Sequence, residues 1–182
     1  RAFRKPLIVA SPKQLLKLKE CQSDMADFGP ESKFHRVYGE AFPNELESDG
    51  KIRRLLWCTG KIYYELLAQR QLLKIKDVAI CRVEQIHPFP FRAVKEVCSK
   101  YPNAEIVWAQ EEPRNMGCWA YVNDRLILAA TPEQGEVRKI GYVGRPSMAS
   151  TAEGYAKEHK HNQDKIISLA LSKNVTSWGP YD

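Results

Sequence analysis

The sequence lacks the features that mark several large protein classes. No apolar run comes near the roughly 18 residues that a membrane-spanning helix needs, and no secretory signal pattern is present. Charge of one sign does not dominate, because 28 Lys and Arg residues stand against 22 Asp and Glu residues, for a formal net charge of +6. The basic residues are scattered among acidic ones, so the composition favours a mixed, solvated surface over a nucleic-acid-binding face.

Cysteine is scarce and irregularly spaced. The five cysteines are Cys21, Cys58, Cys81, Cys98 and Cys118, and no pair has the Cys-x-x-Cys spacing. The odd count and this spacing argue against a disulfide framework and against a zinc site, and they indicate a reducing compartment. Cys58 and Cys81 lie within apolar runs, where we expect each thiol to pack as a small hydrophobic group.

The length and composition fit one folded domain. A chain of 182 residues, 43% of them hydrophobic and 27% charged, is long enough to bury a core. The chain opens with Arg-Ala-Phe-Arg-Lys-Pro rather than Met, which we interpret as the end of a linker within a longer protein. We therefore expect a linker end at residues 1–5, the domain at residues 6–172 and a tail at residues 173–182.

Short apolar runs alternate with helical patterns along the chain. The runs of strand length are residues 7–10, 55–58, 78–83 and 106–109, with weaker candidates at 137–143 and 34–38. These runs are nearly continuous, as in strands that are covered on both faces. The helical patterns are residues 12–20, 60–73, 91–101, 115–128 and 163–171.

This alternation predicts an α/β fold of three layers, with a mainly parallel sheet flanked by helices. Leu56, Ile80 and Val107 each lie in the middle of an apolar run, so we place them at the centre of the sheet. Residues 144–155 are rich in Ser, Ala and Gly, and we expect them to be extended or loosely ordered.

Functional loops of such a sheet follow the carboxyl ends of its strands, and the first unusual strand end is Thr-Gly-Lys at residues 59–61. Gly60 and Lys61 could hold a phosphate on free backbone N–H groups. A basic cleft formed by them with Arg92 would mark a regulatory coenzyme-A- or nucleotide-binding module. No Gly-x-Gly-x-x-Gly or P-loop motif is present, so the alternative is a tight turn that lets the following helix pack.

The second strand end runs from Gln85 to Phe91 and contains Pro88 and Pro90. Alternate prolines stiffen the connection, and we expect them to present Phe89 and Phe91 as an exposed aromatic ledge. For His87, a contact role is favoured over acid–base catalysis.

The third strand end contains Glu111, Glu112, Arg114 and Asn115. Neighbouring side chains on an extended segment point in opposite directions, so a metal shared by the two glutamates is not expected. Capping of the next helix, or pairing with an arginine, is the alternative.

Stiff, aromatic and charged loops lose little entropy on docking. We therefore predict that the second and third strand ends lie side by side and face the rest of a larger subunit or its dimer mate. The alternative is that both phenylalanines cap the core beneath their own helix. No catalytic, cofactor-binding or metal-binding residue is assigned.

Five segments taken together resemble one known family. They are Lys-Pro-Leu-Ile-Val-Ala-Ser-Pro-Lys-Gln-Leu-Leu from residue 5, Thr-Gly-Lys-Ile-Tyr-Tyr-Glu-Leu from residue 59, Ala-Ile-Cys-Arg-Val-Glu-Gln-Ile-His-Pro-Phe-Pro from residue 79, Tyr-Pro-Asn-Ala-Glu-Ile-Val-Trp-Ala-Gln-Glu-Glu-Pro-Arg-Asn-Met-Gly from residue 101, and Tyr-Val-Gly-Arg-Pro-Ser from residue 142. In this order they resemble the carboxy-terminal domain of the thiamine-diphosphate-dependent decarboxylating component of 2-oxoglutarate dehydrogenase.

The resemblance implies a transketolase-like carboxy-terminal fold that supports a larger enzyme and adds dimer contacts. In that family the whole subunit uses thiamine diphosphate and magnesium, neither of which this segment is expected to bind, so the segment alone is expected to be inactive. The implied partners are the remaining domains of the subunit, the homodimer mate, dihydrolipoyl succinyltransferase and dihydrolipoyl dehydrogenase. The implied location is the mitochondrial matrix in a eukaryote and the cytoplasm otherwise.

Two alternatives remain within the resemblance. A relative that acts on 2-oxoadipate shares part of the motif set, although residues 103–108 and 83–85 favour 2-oxoglutarate. Some bacterial relatives carry an acetyl-coenzyme-A activator site whose arginine pair would fall at Arg92 and Ala93, and only Arg92 matches.

Overall fold

The computed structural model describes residues 3–173 and divides the chain into two compact units, one up to Phe34 and one from His35 onward. The first unit contains three short 3-10 helices, Lys13–Lys17, Lys19–Cys21 and Met25–Phe28. None of its described residues is buried. The predicted strand at residues 7–10 and the predicted helix at 12–20 are therefore wrong, because neither segment finds an apolar surface on which to pack.

The second unit contains a five-stranded sheet in the order β1-β3-β2-β4-β5. The strands are β1 (Val37–Tyr38), β2 (Arg54–Cys58), β3 (Val78–Val83), β4 (Glu105–Pro113) and β5 (Ile140–Arg145). The last four are parallel, and β1 pairs antiparallel with β3 at one edge. The predicted α/β fold with a mainly parallel sheet is confirmed.

Helices cover both faces of this sheet. They are α1 (Ile62–Leu72), α2 (Phe91–Lys100), α3 (Trp119–Ala130) and α4 (Ala156–Leu171). Successive strand residues point to opposite faces, so Leu56 packs with α1 and α4, while Leu55 and Trp57 pack with α2 and α3.

The predicted centre of the sheet is confirmed. Leu56 lies in register with Ile80 on one side and with Val107 on the other, and all three side chains are at most 1% exposed. Cys58 and Cys81 are also fully buried and pack as hydrophobic groups, as predicted. Burial raises the pKa of the Cys58 thiol to about 12. No helix among residues 3–173 is long and apolar enough to cross a membrane.

Glu40 and Arg70 continue the edge of the sheet where the two-residue strand β1 stops. The Glu40 carboxylate accepts the backbone N–H of Ile80 at 2.8 Å and two guanidinium N–H groups of Arg70 at 2.6 and 3.0 Å. Arg70 also donates to the Val78 carbonyl at 3.1 Å. These side chains bond the backbone groups of β3 that an edge strand would otherwise leave open to another chain.

Candidate functional site at the carboxyl edge of the sheet

The strand order places the topological switch point of the parallel sheet between β2 and β4, where open α/β sheets of this type bind ligands. Side chains of the protein itself fill this position. Lys61, just after β2, donates a hydrogen bond to Glu111 on β4 and lies 3.4 Å from Glu65. The Gln163 side-chain amide of α4 donates to Glu111 at 2.9 Å and to Glu65 at 3.0 Å.

The charge of Lys61 is balanced within this cluster. Partial burial alone would lower the pKa of Lys61, but the hydrogen bond and negative charge of Glu111, together with Glu65, raise it. Glu111 thus pairs with a cation, as one alternative proposed, although the partner is a lysine and not an arginine. Gly60 adopts a positive φ of 73°, which fits the predicted tight turn before α1.

The three residues considered for an anion site do not come together. Gly60 and Lys61 precede α1, which packs on one face of the sheet, whereas Arg92 lies on α2, which packs on the other. The Arg92 side chain is 94% exposed and forms an ion pair with Glu96 at 2.9 Å. The structure therefore shows no shared basic cleft among these three residues.

Arg145, the last residue of β5, organises a buried polar network beside the switch point. It is 3% exposed, and it donates hydrogen bonds to the Glu153 carboxylate and to the Glu111 carbonyl. Its guanidinium also lies 3.2 Å from a ring nitrogen of His159 and 3.4 Å from the Gln163 side-chain oxygen. The network joins β4, β5 and α4 at the carboxyl edge.

Glu153 is the anchor of the irregular segment between β5 and α4. Its side chain is 2% exposed and accepts a second hydrogen bond from Asn162 at 2.9 Å. Burial alone would raise the pKa of the carboxyl group, but the hydrogen bonds from Arg145 and Asn162 lower it to about 2. The segment at 144–155, predicted to be extended or loosely ordered, has no helix or strand beyond β5, and the Glu153 carboxylate ties it to Arg145 of β5 and to Asn162 of α4.

Gln110 shapes the turn that connects β4 with α3. Its side chain is 2% exposed, and the amide nitrogen donates to the carbonyls of Glu112, Pro113 and Met116 at 2.9–3.2 Å. Its oxygen accepts the Trp108 indole N–H and the Trp119 backbone N–H. Gly117 closes the turn at a φ of 65°. This turn is why α3 begins at Trp119, four residues later than predicted.

The ends of β4 and β5 are joined into one rigid rim, which we define as residues 111–117 and 142–148. The Asn115 side chain donates to the Met148 carbonyl at 2.9 Å and accepts the Met148 N–H at 3.1 Å. The Tyr142 hydroxyl donates to the Arg145 carbonyl at 3.0 Å and lies 3.3 Å from the Glu112 carbonyl. The hydroxyl also comes so close to Gly144 that a Cβ atom at this position would displace it.

Three candidate interface residues lie on this rim with different exposure. Glu112 and Asn115 are exposed, and Arg114 is half-buried with its guanidinium 5.3 Å from the centre of the Tyr142 ring. The rim therefore presents charged and amide groups on a backbone that side-chain hydrogen bonds hold in place.

The segment from Gln85 to Phe91 departs from the predicted aromatic ledge. Phe89 is only 7% exposed and belongs to the core, whereas Phe91 is 41% exposed, with the two ring centres 5.0 Å apart. The prediction of an exposed ledge is wrong for Phe89, because its ring packs in the core with side chains of α2 and α3. For this residue the alternative of capping the core is the one observed. Gln85 stiffens the loop by donating to the Pro88 carbonyl at 2.7 Å.

The two predicted interface segments follow strands that are not neighbours, because β2 lies between β3 and β4. His87 is exposed and its ring nitrogen lies 2.6 Å from the Tyr121 hydroxyl on α3. The segment from Gln85 to Phe91 thus contacts α3, the helix that follows the other predicted interface segment. Both segments lie at the carboxyl edge of the sheet.

Sequence reasoning missed the residues that organise this edge: Gln110, Arg145, Glu153 and Gln163. Gln110 and Arg145 lie within the segments quoted for the family resemblance, and that was the only signal available. Gln163 meets Glu111 from 52 residues away and Glu65 from 98 residues away, so no local pattern could have paired them. Among residues 3–173, no three His, Cys, Asp or Glu side chains are grouped to hold a metal ion.

The fold and this edge define a three-layer α/β domain whose ligand crevice is filled by its own ion pairs and whose strand ends form a rigid surface. The family model for the 2-oxoglutarate dehydrogenase C-terminal domain matches residues 22–171. The chain belongs to this family, which confirms the resemblance seen in the five sequence segments.

Relatives that match along nearly the whole chain carry the same name. The mitochondrial 2-oxoglutarate dehydrogenase of Dictyostelium discoideum is 45% identical over 177 residues, which cover 97% of this chain and 17% of the relative. The 2-oxoglutarate dehydrogenase E1 components of Brucella ovis and Brucella canis are each 41% identical, over 94% of this chain and 18% of the relative. The chain thus spans less than a fifth of the length of these relatives.

Proposed function

We propose that this chain is the carboxy-terminal supporting domain of a 2-oxoglutarate dehydrogenase E1 subunit, and that its carboxyl edge contacts the remaining domains and the homodimer mate. The observation that carries the proposal is that side chains of the protein itself fill the switch point between β2 and β4. The crevice where such a sheet would hold a small molecule contains Glu111, which accepts hydrogen bonds from Lys61 and Gln163. A domain with this crevice filled is suited to protein contacts.

The activity belongs to the complete subunit. There, thiamine diphosphate and magnesium support the oxidative decarboxylation of 2-oxoglutarate and the succinylation of a lipoyl group, and they bind outside this segment. The partners are dihydrolipoyl succinyltransferase and dihydrolipoyl dehydrogenase, in the mitochondrial matrix of a eukaryote or in the cytoplasm of a bacterium. The names of the relatives favour 2-oxoglutarate over 2-oxoadipate as the substrate.

The physical case for an interface rests on side chains that are exposed but already held in place. The His87 ring is fixed by Tyr121, and Asn115 is fixed by two hydrogen bonds to Met148. Phe91 is 41% exposed and rests edge-on against the buried Phe89 ring. Because these groups lose little freedom on docking, most of their contact energy is available for association.

The decisive experiment compares Phe91→Ala with Phe89→Ala in the complete subunit. Phe91→Ala should lower the free energy of unfolding by only about 0.5–1.5 kcal/mol, the value of its edge-on contact with Phe89, but weaken dimerisation roughly tenfold or more, as loss of an aromatic interface anchor does, and lower turnover in parallel. Phe89→Ala should destabilise the domain by about 3–5 kcal/mol because it leaves a cavity in the core. Sedimentation, calorimetry and 2-oxoglutarate-dependent turnover are the readouts.

Leu128→Ala is the matched control, since Leu128 is 68% exposed on α3 and lies outside both predicted segments. It should affect neither stability nor dimerisation. If Phe91→Ala and Leu128→Ala dimerise and turn over equally well, the carboxyl edge near α2 is not part of the interface.

A further inference from the structure

Arg82, near the carboxyl end of β3, is surrounded by aromatic rings. It lies in register with Tyr38 of β1 on one side and with Cys58, the last residue of β2, on the other. Its guanidinium carbon is 4.6 Å from the centre of the Tyr38 ring, and it is 4.4 and 5.7 Å from the ring centres of Tyr63 and Tyr64 at the start of α1. We call Arg82 and the three tyrosines the arginine–tyrosine site.

The N–H groups of Arg82 are only partly used by the domain. Nη1 donates to the Tyr64 hydroxyl at 3.2 Å. Nε lies 3.4 Å from the Glu84 carboxylate but forms no hydrogen bond with it. Within residues 3–173 the guanidinium has no further hydrogen-bond partner, although 18% of the side chain remains exposed. Arg82 therefore has N–H groups left for a partner that comes from outside this part of the chain.

The buried arginines of the domain show the contrast. Arg54, Arg70 and Arg145 are each at most 3% exposed, and each donates to a carboxylate and to a backbone carbonyl of the domain. A desolvated guanidinium without acceptors is costly, so the fold supplies acceptors to these three. Arg82 is enclosed by rings more than by acceptors, so its hydrogen-bonding capacity is not exhausted.

The enclosure keeps Arg82 charged and in position. Burial alone would lower the pKa of Arg82, but the charge of Glu84 and the hydrogen bond to Tyr64 raise it. The rings of Tyr38 and Tyr63 attract the cation through their π faces and restrict the rotamers of its side chain. A partner that binds here thus meets a cation that loses little conformational freedom on binding.

The geometry favours a carboxylate as the bound group. Aromatic rings engage the face of a guanidinium, which leaves its N–H groups for acceptors in its own plane. A carboxylate is planar and accepts two parallel N–H groups, which is the geometry that arginine matches best. A phosphate dianion carries more negative charge and would be repelled more strongly by Glu84, which lies 3.4 Å from Nε.

We propose that the arginine–tyrosine site binds a carboxylate side chain, an Asp or Glu residue, from another domain of the subunit or from its dimer mate. Arg and Tyr are both enriched in the well-packed centres of protein interfaces, and Tyr38 offers a ring that is 42% exposed beside the cation. The site also lies directly before the predicted interface segment that begins at Gln85. The inference rests on the proposed function in one respect, that this edge of the domain contacts the rest of the enzyme.

Carbodiimide coupling in the complete subunit tests the inference. The reagent activates a carboxylate, and an amine in contact with it displaces the activated group to form an amide. Arg82→Lys keeps the positive charge and supplies such an amine, whereas the wild-type guanidinium does not couple. We expect Arg82→Lys to form an amide with an Asp or Glu residue outside its own copy of residues 1–182, identified by mass spectrometry of the peptides. A covalent dimer on a denaturing gel assigns the carboxylate to the mate, and a product within one subunit assigns it to another domain.

Arg92→Lys is the matched control. Arg92 is 94% exposed and pairs with Glu96 at 2.9 Å, so the amine introduced there should couple to Glu96 alone. If Arg82→Lys couples only to Glu84, or to another acid of the same copy of residues 1–182, Arg82 forms a local ion pair and the proposal is overturned. The absence of any product from Arg82→Lys, while Arg92→Lys couples to Glu96, would overturn it too, since the site would then hold no protein carboxylate.

A photo-crosslinking phenylalanine derivative in place of Tyr38 tests the same contact with Arg82 intact. It should label a peptide that contains an Asp or Glu residue of another domain or of the mate. Labelling confined to the same copy of residues 1–182, or to peptides without an acidic residue, would contradict the proposal. The result is separable from the Phe91→Ala experiment. If Phe91→Ala assembles like Leu128→Ala but Arg82→Lys couples to another domain, the interface near α2 fails and the arginine–tyrosine site stands.

Discussion

Two buried arginine–carboxylate pairs stabilise this domain in different ways. Arg70 and Glu40, beside β3, are 1% and 2% exposed and form a bidentate pair whose other hydrogen bonds go to the β3 backbone. Arg145 and Glu153, at the carboxyl edge, are buried to a similar degree. Arg145, however, divides its donors among Glu153, Glu111, Gln163 and His159, and several of these contacts are 3.2–3.5 Å long.

The two pairs differ in geometry because they connect different parts of the domain. The first pair completes the edge of one strand, so its geometry is closed and its partners are fixed backbone groups. The second pair connects three elements and includes His159, whose side chain is 54% exposed. Buried charge therefore serves the closure of the sheet in one place and the positioning of a surface segment in the other.

The largest expected loss of stability comes from breaking the pair between Glu40 and Arg70. Glu40→Ala removes the only carboxylate of the pair and leaves a buried Arg70 charge and the Ile80 N–H without their partner. Unfolding by urea should show a loss of about 3–5 kcal/mol. Glu45→Ala is the control, because Glu45 lies 3.8 Å from the same arginine but is 48% exposed, and it should cost no more than about 1 kcal/mol. Equal losses would mean that burial does not distinguish the two carboxylates.

The second pair should give a smaller effect that depends on pH. Glu153→Gln keeps the shape and one hydrogen-bond acceptor but loses the charge, and we expect a loss of about 1–3 kcal/mol at neutral pH. Since the folded pKa of Glu153 is about 2, below its ordinary value of 4.5, its contribution is complete above pH 4.5 and is lost as the pH falls toward 2.

The pH dependence separates Glu153 from other glutamates. Between pH 4.5 and 2 the stability of the wild-type chain should fall more steeply than that of Glu153→Gln. Glu158→Gln, at an exposed position on α4, should follow the wild-type curve. Parallel curves for all three proteins would show that Glu153 is not held by Arg145 in solution.

Asn115→Ala should have the smallest effect on stability. It removes two hydrogen bonds to Met148 at an exposed position, so the expected loss is about 0.5–1.5 kcal/mol. Faster amide exchange at Met148, whose N–H would lose its acceptor, is the sharper readout. Asn123→Ala, which removes an exposed amide on α3, should leave Met148 unchanged.

The sequence predicted most of the second unit because its signals are local. Continuous apolar runs identified β2, β3 and β4, and the stripe of Val94 and Cys98 identified α2 at its observed start. The start of α4 was placed at residue 163 and lies at Ala156. Residues 156–161 are all exposed, so their helical turns leave no apolar stripe to detect.

The candidate site was harder to predict because its contacts are long-range. Strand ends were correctly expected to meet at one edge, but the pairing of Lys61 with Glu111 depends on β2 and β4 being neighbours, which the chain order does not reveal. The prediction for residues 7–10 failed although their local signal is clear. Their pattern is that of a strand, but a strand needs a neighbour, and the first unit does not supply one.

At Gly144 the close approach of Tyr142 means that any other residue would have to displace the tyrosine side chain. A Cβ atom would lie 2.3 Å from the Tyr142 hydroxyl oxygen and 3.0 Å from the Gln110 carbonyl oxygen, although φ there lies outside the left-handed region that favours glycine. Alanine would force the hydroxyl away from the Arg145 and Glu112 carbonyls. A single added methyl group would thus loosen the hydrogen bonds by which Tyr142 joins two strand ends, far from any group that the domain offers to a ligand.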